Sequence, residues 1–473
     1  MNRNLPAALL ALTFTLAACN QANTPPSTEQ SPAVQRPGTD NGQQPGASSP
    51  TPPVTDGGAQ NPPPSGQQPN RGPAGTLDSS FGSGGIARVA SGGIDDLAIQ
   101  PSGKIVALIA EGFTGPDVYR KYLARFNPDG SRDASFGNAG QAPVAVKGDR
   151  DELALQAGGA IIVGGGTAPI VRFTPDGQQD PSFGNGGTIP PDGDTYHVAV
   201  QPDGKVLVLS VRPNPPSSVV LRRFTPDGQP DSSFGSGGRV TLSNPQTDAS
   251  GETRWSYPYA EVEVGPGGKI FVGGHCSVAE ARFNYYPNGA FCVTRLESNG
   301  QLDTSYGNLP GLAAYETGKY HEARSMAVMA DGRVVLAGAV NFYGSEWRVI
   351  RVSSDGKSHQ QFSSTYLSVG TPTTVLSEVL VDENGRTIVT GSYNRGGNDA
   401  EYGARFVVVR FNPDGALDDG FGGGGKLDVL PSITRAHAYS AAFTGDGAMV
   451  VGGVIVKEGE STASTAVLAK VWR

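Results

Sequence analysis

Short apolar runs separated by glycine-containing turns dominate the chain from about residue 75 to its end. One run covers Val198 to Gln201, a turn follows at Asp203-Gly204, and a second run covers Lys205 to Leu209. Turns of this type fall at Ser102-Gly103, Gly158-Gly159, Asp203-Gly204, Gly267-Gly268, Asp331-Gly332, Asn384-Gly385 and Asp446-Gly447. Runs of this length joined by glycine turns predict β-hairpins.

A second segment also repeats through the chain and carries an aromatic residue near its end. The segment from Arg125 to Gly137 returns with few changes at 172–184, 223–235 and 410–422, more loosely at 295–307, and in degraded form at 351–362. The repeated aromatic residues are Phe81, Phe136, Phe183, Phe234, Tyr306, Phe362 and Phe421. A unit of about 50 residues with three or four short strands has the size of a propeller blade. We expect these aromatic residues to form the core between blades.

The two ends of the repeat region are complementary. The last unit stops at 466–473 without the turn and aromatic residue of the other units, whereas residues 73–82 begin with them. A closed ring can complete its last blade from both ends, while an open stack needs capping repeats. The sequence therefore predicts an all-β fold: one seven-bladed β-propeller in which residues 75–90 pair with the blade formed by roughly 435–473.

Composition agrees with a turn-rich β protein and excludes some functions. The chain has 67 glycines and 37 prolines, and only 17% of its residues are charged, which argues against a helical bundle. The formal net charge of -8 provides no basic field for phosphate, so general nucleic-acid binding is excluded.

The first residues resemble a bacterial lipoprotein signal. Arg3 precedes an apolar run from Leu5 to Leu16, and Leu16-Ala17-Ala18-Cys19 matches a lipobox. The interpretation is a signal peptide at 1–18, lipidation of Cys19, and export to the bacterial envelope with the membrane as a partner, at the outer membrane or cell surface. An ordinary signal peptide with an incidental cysteine is the alternative.

Residues 19–74 are predicted to be a disordered tether, and residues 75–473 the propeller. Between residues 20 and 74 there are 13 prolines and no aromatic residue. Such a stretch cannot bury enough apolar surface to offset the entropy of ordering.

The repeats resemble the delta-60 repeat family, a bacterial repeat with Asp-Gly, Leu-Asp, Phe-Gly and a later Gln-Pro-Asp-Gly-Lys. The resemblance covers residues 73–473 and is weakest in the fifth unit. It implies a β-propeller and no established activity, and it assigns no catalytic residues to this chain.

The repeated turn Pro128-Asp129-Gly130 predicts a three-residue hairpin loop with a positive φ at its glycine. Counting outward, Arg125 lies opposite Asp133, and the same separation of eight recurs in four other units. Lys470 would meet Asp78 across the ring closure, and His359 would lie opposite Arg351. We interpret these pairs as structural; Ca²⁺ binding by the repeated acids is the alternative.

Cys276 and Cys292 are the only cysteines after Cys19. Two cysteines at neighbouring strand ends of an exported protein should form a disulfide. A metal site that uses His275 is the alternative.

Residues that differ between units cluster just before the first strand of each unit, where they are predicted to surround one mouth of a central channel. They are Asp95, Asp96, Asp151, Glu152, Tyr196, His197, Trp255, Tyr257, Tyr259, Tyr320, His321, Glu322, His437 and Tyr439. Aromatic and acidic groups around a concave mouth suit a sugar, a peptide or a cationic ligand. Ordinary loop residues without a ligand are the alternative.

The expected function is a tethered, non-enzymatic binding or scaffold module, with an envelope protein or glycan as a possible partner. The sequence holds no Gly-x-Ser-x-Gly, His-Glu-x-x-His or phosphate-loop pattern, and no cofactor or metal is expected. Two alternatives stay open: a propeller enzyme acting on an extracellular polymer such as a polysaccharide, and a structural subunit of an envelope assembly.

Overall fold

The computed structural model describes residues 71–111, 120–145, 151–212, 218–242, 260–277, 288–319, 321–340, 346–362, 375–394, 404–431, 435–456 and 464–473. Within these ranges the chain forms β-strands and two single-turn 3₁₀ helices, Ala157–Gly159 and Pro266–Gly268. Cys19 and the predicted tether up to residue 70 lie outside the described residues.

In chain order the strands are β1 (Ile86–Ser91), β2 (Gly93–Ile99), β3 (Ile105–Glu111), β4 (Arg120–Phe126), β5 (Gln141–Val144), β6 (Asp151–Leu155), β7 (Ile161–Gly165), β8 (Ile170–Phe173), β9 (Thr188–Ile189), β10 (Asp194–Val200), β11 (Val206–Arg212), β12 (Ser218–Phe224), β13 (Arg239–Leu242) and β14 (Ala260–Val264). The second half contains β15 (Ile270–Ser277), β16 (Asn288–Leu296), β17 (Leu312–Lys319), β18 (His321–Val328), β19 (Val334–Val340), β20 (Glu346–Val352), β21 (His359–Gln361), β22 (Val375–Val381), β23 (Thr387–Asn394), β24 (Ala404–Phe411), β25 (Lys426–Asp428), β26 (Ala436–Phe443), β27 (Ala448–Val456) and β28 (Ser464–Trp472).

These described strands form seven four-stranded sheets, which are the blades of a β-propeller. Blades 1 to 6 take consecutive strands: β2–β5, β6–β9, β10–β13, β14–β17, β18–β21 and β22–β25. Blade 7 has the order β26, β27, β28 and then β1, so both ends of the described chain contribute to it. The predicted seven-bladed ring is confirmed.

The ring closes where the sequence predicted. Ile86 of β1 lies opposite Ala469 of β28. The backbone N–H of Gly75 donates to the carbonyl of Trp472 (2.8 Å), as Gly130 does to Asn127 (2.9 Å) in blade 1. Residues 73–75 therefore rebuild, from the other end of the chain, the Pro-Asp-Gly turn of the other blades.

The first strands of the blades form the innermost layer of the ring. β2, β6, β10, β14, β18, β22 and β26 each contact the first strand of the next blade, and β26 contacts β2. Because consecutive first strands meet all the way round, they border the centre, which we call the channel.

The repeated aromatic residues pack between blades, as predicted. Phe136 of blade 1 is buried against the turn of blade 2 at Gly177, where a Cβ would come within 2.6 Å of the Phe136 ring. Gly177 also has a φ of 80°, a conformation that favours glycine. Gly137 donates its N–H to the carbonyl of Asp176 in the same turn (2.7 Å). One aromatic-glycine pair thus fixes both the turn and the blade interface.

The predicted Arg-Asp pairs are present, and they extend to the next blade. Arg125 Nε donates to Asp133 Oδ2 (2.7 Å), and its Nη1 donates to the carbonyl of Pro175 in blade 2 (2.7 Å). Equivalent pairs join Arg172 to Asp180, Arg223 to Asp231, Arg295 to Asp303, and Arg410 to Asp418. Lys470 meets Asp78 at 3.1 Å across the closure.

The expected position of His359 opposite Arg351 is wrong. Ser353 N–H donates to the carbonyl of Ser358, five residues on (2.9 Å), whereas the other Arg-containing blades bond four residues on. This loop is one residue longer, so Gln360 lies opposite Arg351 and His359 lies opposite Val352.

The disulfide between Cys276 and Cys292 is confirmed. The two cysteines lie on the neighbouring strands β15 and β16 of blade 4, with their Cα atoms 6.0 Å apart. His275 is buried beside them on β15. The bond links the outer part of the longest hairpin in the repeat.

Candidate functional site at the centre of the ring

The predicted mouth residues that the structure describes lie inside the first strands, and the prediction that they precede those strands is wrong. In β2 the pairing with β3 shifts between Ile94 and Asp96, so Asp95 is the extra residue of a β-bulge. The same bulge occurs in four other first strands, at Tyr196, Arg324, Ser377 and Tyr439. Bulges lengthen these strands and carry the polar residues into them.

One position of the first strand is equivalent in all seven blades. Its residue pairs with the residue twelve places later on the second strand, as Asp96 does with Leu108 and Glu261 with Gly273. The residues at this position are Asp96, Glu152, His197, Glu261, Ser325, Glu378 and Ser440. We call them the channel ring.

The channel ring connects the blades through hydrogen bonds from backbone to side chain. Leu153 N–H in blade 2 donates to Asp96 Oδ2 (2.7 Å), and Met326 N–H in blade 5 donates to Glu261 Oε2 (2.5 Å). Val379 N–H donates to Ser325 Oγ (3.1 Å). Each acceptor belongs to the preceding blade, so the ring residues join adjacent first strands around the axis.

Side chains also bond to each other within the ring, from blade 7 to blade 1 and from blade 5 to blade 6. Ser440 Oγ donates to Asp96 Oδ1 (2.7 Å), which also accepts the N–H of Leu97 (2.7 Å). Ser325 Oγ donates to Glu378 Oε1 (3.2 Å). Asp96 is therefore held by three donors and has a fixed orientation.

The carboxyl groups of the ring crowd one another. Burial, followed by the charge of Glu152, raises the pKa of Asp96 to about 8. Burial and neighbouring carboxylates also raise the pKa values of Glu261 and Glu378 well above the usual range. Glu263, two residues along from Glu261, has its pKa raised mainly by burial. Five carboxyls thus share one confined space, and protons or a cation would relieve their repulsion.

His197 is the one histidine of the ring. Val262 N–H lies 3.5 Å from its Nδ1, which would make that nitrogen the acceptor. Burial lowers the pKa of His197, although Glu263 and Asp96 act to raise it. The imidazole is therefore neutral near pH 7.

Asp95 and Asp151 belong to a separate buried ion cluster. Lys121 Nζ lies 2.8 Å from Asp95 Oδ2 and 2.5 Å from Asp151 Oδ2. Although burial acts to lower the pKa of Lys121, the two carboxylates raise it. Asp151 starts the first strand of blade 2, so this cluster joins blades 1 and 2.

Two aromatic side chains of β26 lie where blade 7 meets its neighbours, Tyr439 at blade 1 and His437 at blade 6. The His437 and Tyr439 rings are stacked, with centroids 6.3 Å apart. Tyr439 is 40% exposed and lies beside Gly93 of blade 1. His437 Nδ1 is 3.0 Å from Ser392 Oγ in blade 6. Tyr196, by contrast, packs partly into the core between blades 3 and 4.

The remaining predicted mouth residues are only partly accounted for. Trp255, Tyr257, Tyr259 and Tyr320 lie outside the described residues. His321 and Glu322 begin β18, where their backbones pair with Val340 and Ala339.

Sequence reasoning missed Glu261, Glu263, Ser325, Glu378 and Ser440. A signal for most of them was present, because each ring residue lies seven places before the second glycine-turn residue of its unit, as Asp96 precedes Gly103. Aligning the units on these turns would have identified all seven ring positions.

The described residues contain no group of three or more His, Cys, Asp or Glu side chains arranged to hold a metal ion. No helix among them has the length and apolarity needed to cross a membrane. What the channel ring offers chemically is a cluster of carboxyl groups, hydrogen-bond acceptors held in place and an aromatic edge nearby.

One family of β-propellers matches parts of the chain. The chain is similar to the family described as "Domain of unknown function (DUF5122) beta-propeller" over residues 100–136, 156–183, 201–234 and 383–421. Each of these four segments contains one of the repeated glycine turns and one complete Arg-Asp pair. No curated protein matches the chain.

Among solved structures, the chain is similar to a protein of unknown function from Bacteroides caccae (13% identity, 69% of this chain and 94% of that chain, TM-score 0.41). It is also similar to a protein of unknown function from Dyadobacter fermentans (10% identity, 82% and 100%, TM-score 0.44). A third is the WD40 β-propeller domain of Doa1 (11% identity, 84% and 97%, TM-score 0.43).

Proposed function

We propose that this chain is a membrane-tethered, extracytoplasmic β-propeller lipoprotein that acts as a binding module, and that its ligand presents a positive charge to the channel. The observation that carries the proposal is the convergence of five carboxyls, Asp96, Glu152, Glu261, Glu263 and Glu378, on one channel. The tether rests on the lipobox at Cys19.

The energetics support a binding role for these acids. Carboxyls whose pKa values are raised by burial and by one another are less stable when ionised, so a cation that enters the channel would stabilise their ionised forms. The three hydrogen bonds to Asp96 hold it rigidly, which suits recognition. Basic side chains of a peptide and polyamines have the matching charge.

Calorimetric titration of the purified protein with tetralysine, spermidine and tetraglutamate tests this function. We expect the two cations to bind and tetraglutamate not to bind. Glu261→Gln and Glu378→Gln should each weaken cation binding about tenfold, or about 1.4 kcal/mol. Glu297→Gln, at a blade 4 turn where Glu297 pairs with Lys269, removes the same charge outside the channel and is the matched control. Equal affinity in all variants would refute the channel as the site.

The tether has its own test. Cells that express the full chain should incorporate labelled fatty acid into it, and Cys19→Ser should abolish the incorporation and release the protein from membranes. Unchanged labelling of Cys19→Ser would contradict the lipobox assignment.

A polymer-cleaving enzyme is the second candidate, because a carboxylic acid with a pKa of about 8 is protonated at neutral pH and can serve as a general acid. Glu152 lies close enough to influence Asp96. Release of reducing ends from polysaccharides by the wild type, and its loss in Asp96→Asn, would favour this candidate. Absence of any turnover supports the binding module.

A further inference from the structure

Blade 3 has a charged residue at a position where every other blade has an uncharged one. The residue directly before the repeated Arg or Lys is Arg222 in blade 3, whereas the other blades have Ala124, Val171, Thr294, Ile350, Val409 and Ala469 there. Arg222 lies in the middle of β12, paired with Val208 on one side and Arg239 on the other. A guanidinium at this position needs a compensating partner, because directly opposed like charges destabilise a sheet.

The structure provides only part of that compensation. Arg222 Nη1 donates to the carbonyl of Pro190 (3.0 Å), and the guanidinium carbon lies 5.1 Å from the centroid of the Phe224 ring. Its Nε and Nη2 are buried and have no hydrogen-bond partner in the part of the chain that the structure describes. Leaving such donors unpaired costs stability.

Two more arginines surround the same point, with a single carboxylate between them. Arg239 Nη1 lies 2.7 Å from Asp192 Oδ2, and Arg212 Nη2 binds Asp192 Oδ1. The Arg212 and Arg239 side chains are 44% and 33% exposed, whereas Asp192 is 17% exposed. Among the residues that the structure describes, three guanidinium groups near one carboxylate leave a local excess of two positive charges, in a chain whose formal net charge is -8.

The electrostatics agree with this count. Burial, and the nearby charges of Arg239 and Arg212, lower the pKa of Arg222, while Asp192 acts in the opposite direction. Asp192 has its own pKa lowered, since the arginines outweigh the effect of burial. Asp192, the carboxylate that the described part of the chain places here, is not enough to neutralise three arginines.

We propose that Arg212, Arg222 and Arg239 form an oxyanion-binding site on blade 3, with a phosphate group as its preferred ligand. The accessible Arg212 and Arg239 would supply the direct contacts, because guanidinium groups bind phosphate through paired N–H donors. Arg222 supplies positive charge from beneath. This site is separate from the channel and does not depend on the proposed function.

Thermal unfolding at constant ionic strength, with inorganic phosphate replacing chloride, tests the site. The wild type should show a saturable rise in melting temperature. Arg222→Met keeps the aliphatic stem and removes the charge; we expect it to fold and to bind phosphate at least tenfold more weakly. Arg88→Met, on β1 of blade 7, is the matched control and should respond like the wild type.

Phosphate also stabilises proteins non-specifically, and that effect is linear and shared by all variants. An identical, non-saturating response in the wild type, Arg222→Met and Arg88→Met would overturn the proposal. If Arg222→Met does not fold, Arg212→Met and Arg239→Met, at partly exposed positions, give the same comparison. Co-sedimentation with vesicles of phosphatidylglycerol or of phosphatidylcholine, with and without free phosphate, distinguishes a lipid headgroup from a soluble phosphate as the source. Binding of phosphatidylglycerol that free phosphate does not displace would place the lipid contact elsewhere.

Discussion

Replacing Glu378 by glutamine should make the stability of the propeller less sensitive to alkaline pH. In the folded protein the pKa of Asp96 is about 8, above its value of 3.8 in an unfolded chain, and the pKa values of Glu261 and Glu378 are also raised. A raised carboxyl pKa means that the folded state holds the proton more tightly. The stabilisation is therefore complete below the unfolded pKa and is lost as pH rises through the folded pKa.

The magnitude follows from proton linkage. Where the folded state holds one proton that the unfolded state has released, the free energy of unfolding falls by about 1.4 kcal/mol per pH unit. For Asp96 this regime extends from about pH 4 towards pH 8, and the slope is about half as large at pH 8 itself. Further raised carboxyls make the decline steeper.

Other titrating groups leave a clear window for the measurement. Burial lowers the pKa of His197, so its contribution has the opposite sign, with stability rising with pH, and ends near the unfolded histidine pKa of 6.5. Hydrogen bonds from Lys104 and Ser135 hold the pKa of Asp133 well below its usual range, so its contribution is lost only in acid. Above about pH 7 the channel carboxyls dominate.

Denaturant unfolding of the wild type, Glu378→Gln and Glu297→Gln at several pH values between 7 and 9 gives the slopes directly. We expect stability of the wild type to decline across this range, with a shallower decline in Glu378→Gln, since glutamine keeps the oxygen that accepts from Ser325 and removes one charge. Glu297→Gln should follow the wild type. A flat wild-type profile, or equal slopes in all three proteins, would refute the channel electrostatics described above.

Three further outcomes follow from the packing. Arg125→Ala should lower the free energy of unfolding by about 1 to 2 kcal/mol more than Arg410→Ala, because Arg125 Nη1 bonds to a carbonyl of the next blade, whereas Arg410 Nη1 has no partner among the described residues. Equal losses in denaturant titrations would contradict the inter-blade bond. Replacing Cys276 and Cys292 together by serine should cost about 3 kcal/mol, measured as the difference between the two proteins without reductant. Lys470→Ala should remove the ion pairs of Asp78 and Asp446 and lower the free energy of unfolding by about 3 kcal/mol. Limited proteolysis near residue 75 should then become faster, and unchanged cleavage would argue against a role of Lys470 in ring closure.

The repeated positions made the fold predictable from sequence. Each turn glycine, aromatic residue and Arg-Asp pair solves the same local problem in several blades, so their spacing determined blade number, register and closure. The register failed only where one residue was added between Ser353 and Ser358, because a degraded unit offers no repeated aspartate from which to count. A one-residue change in a hairpin loop moves every later partner by one position.

The candidate site was less predictable, since its residues differ from blade to blade and do not appear in the repeat. Asp96 and Glu152 were found because they are acidic, while Ser325 and Ser440 occupy the same position and have no chemical signature of their own. The bulges added to the difficulty, because an extra residue such as Asp95 breaks the alternation that identifies a strand.

The same contrast explains where function can reside in a repetitive ring. A position that keeps one residue in every blade is explained by packing that every blade needs, as with the aromatic residue at the blade interface. A position that is structurally equivalent but chemically different, such as the channel ring or Arg222, has no such explanation. At the ring position the backbone N–H of the next blade donates to a serine hydroxyl in one blade, and to an aspartate or a glutamate in others, so hydrogen bonding between blades does not require the acids. The charge of these acids raises the cost of folding at neutral pH without improving that bond. Binding of a ligand to the charged groups would account for the acids, which the packing of the repeat does not explain.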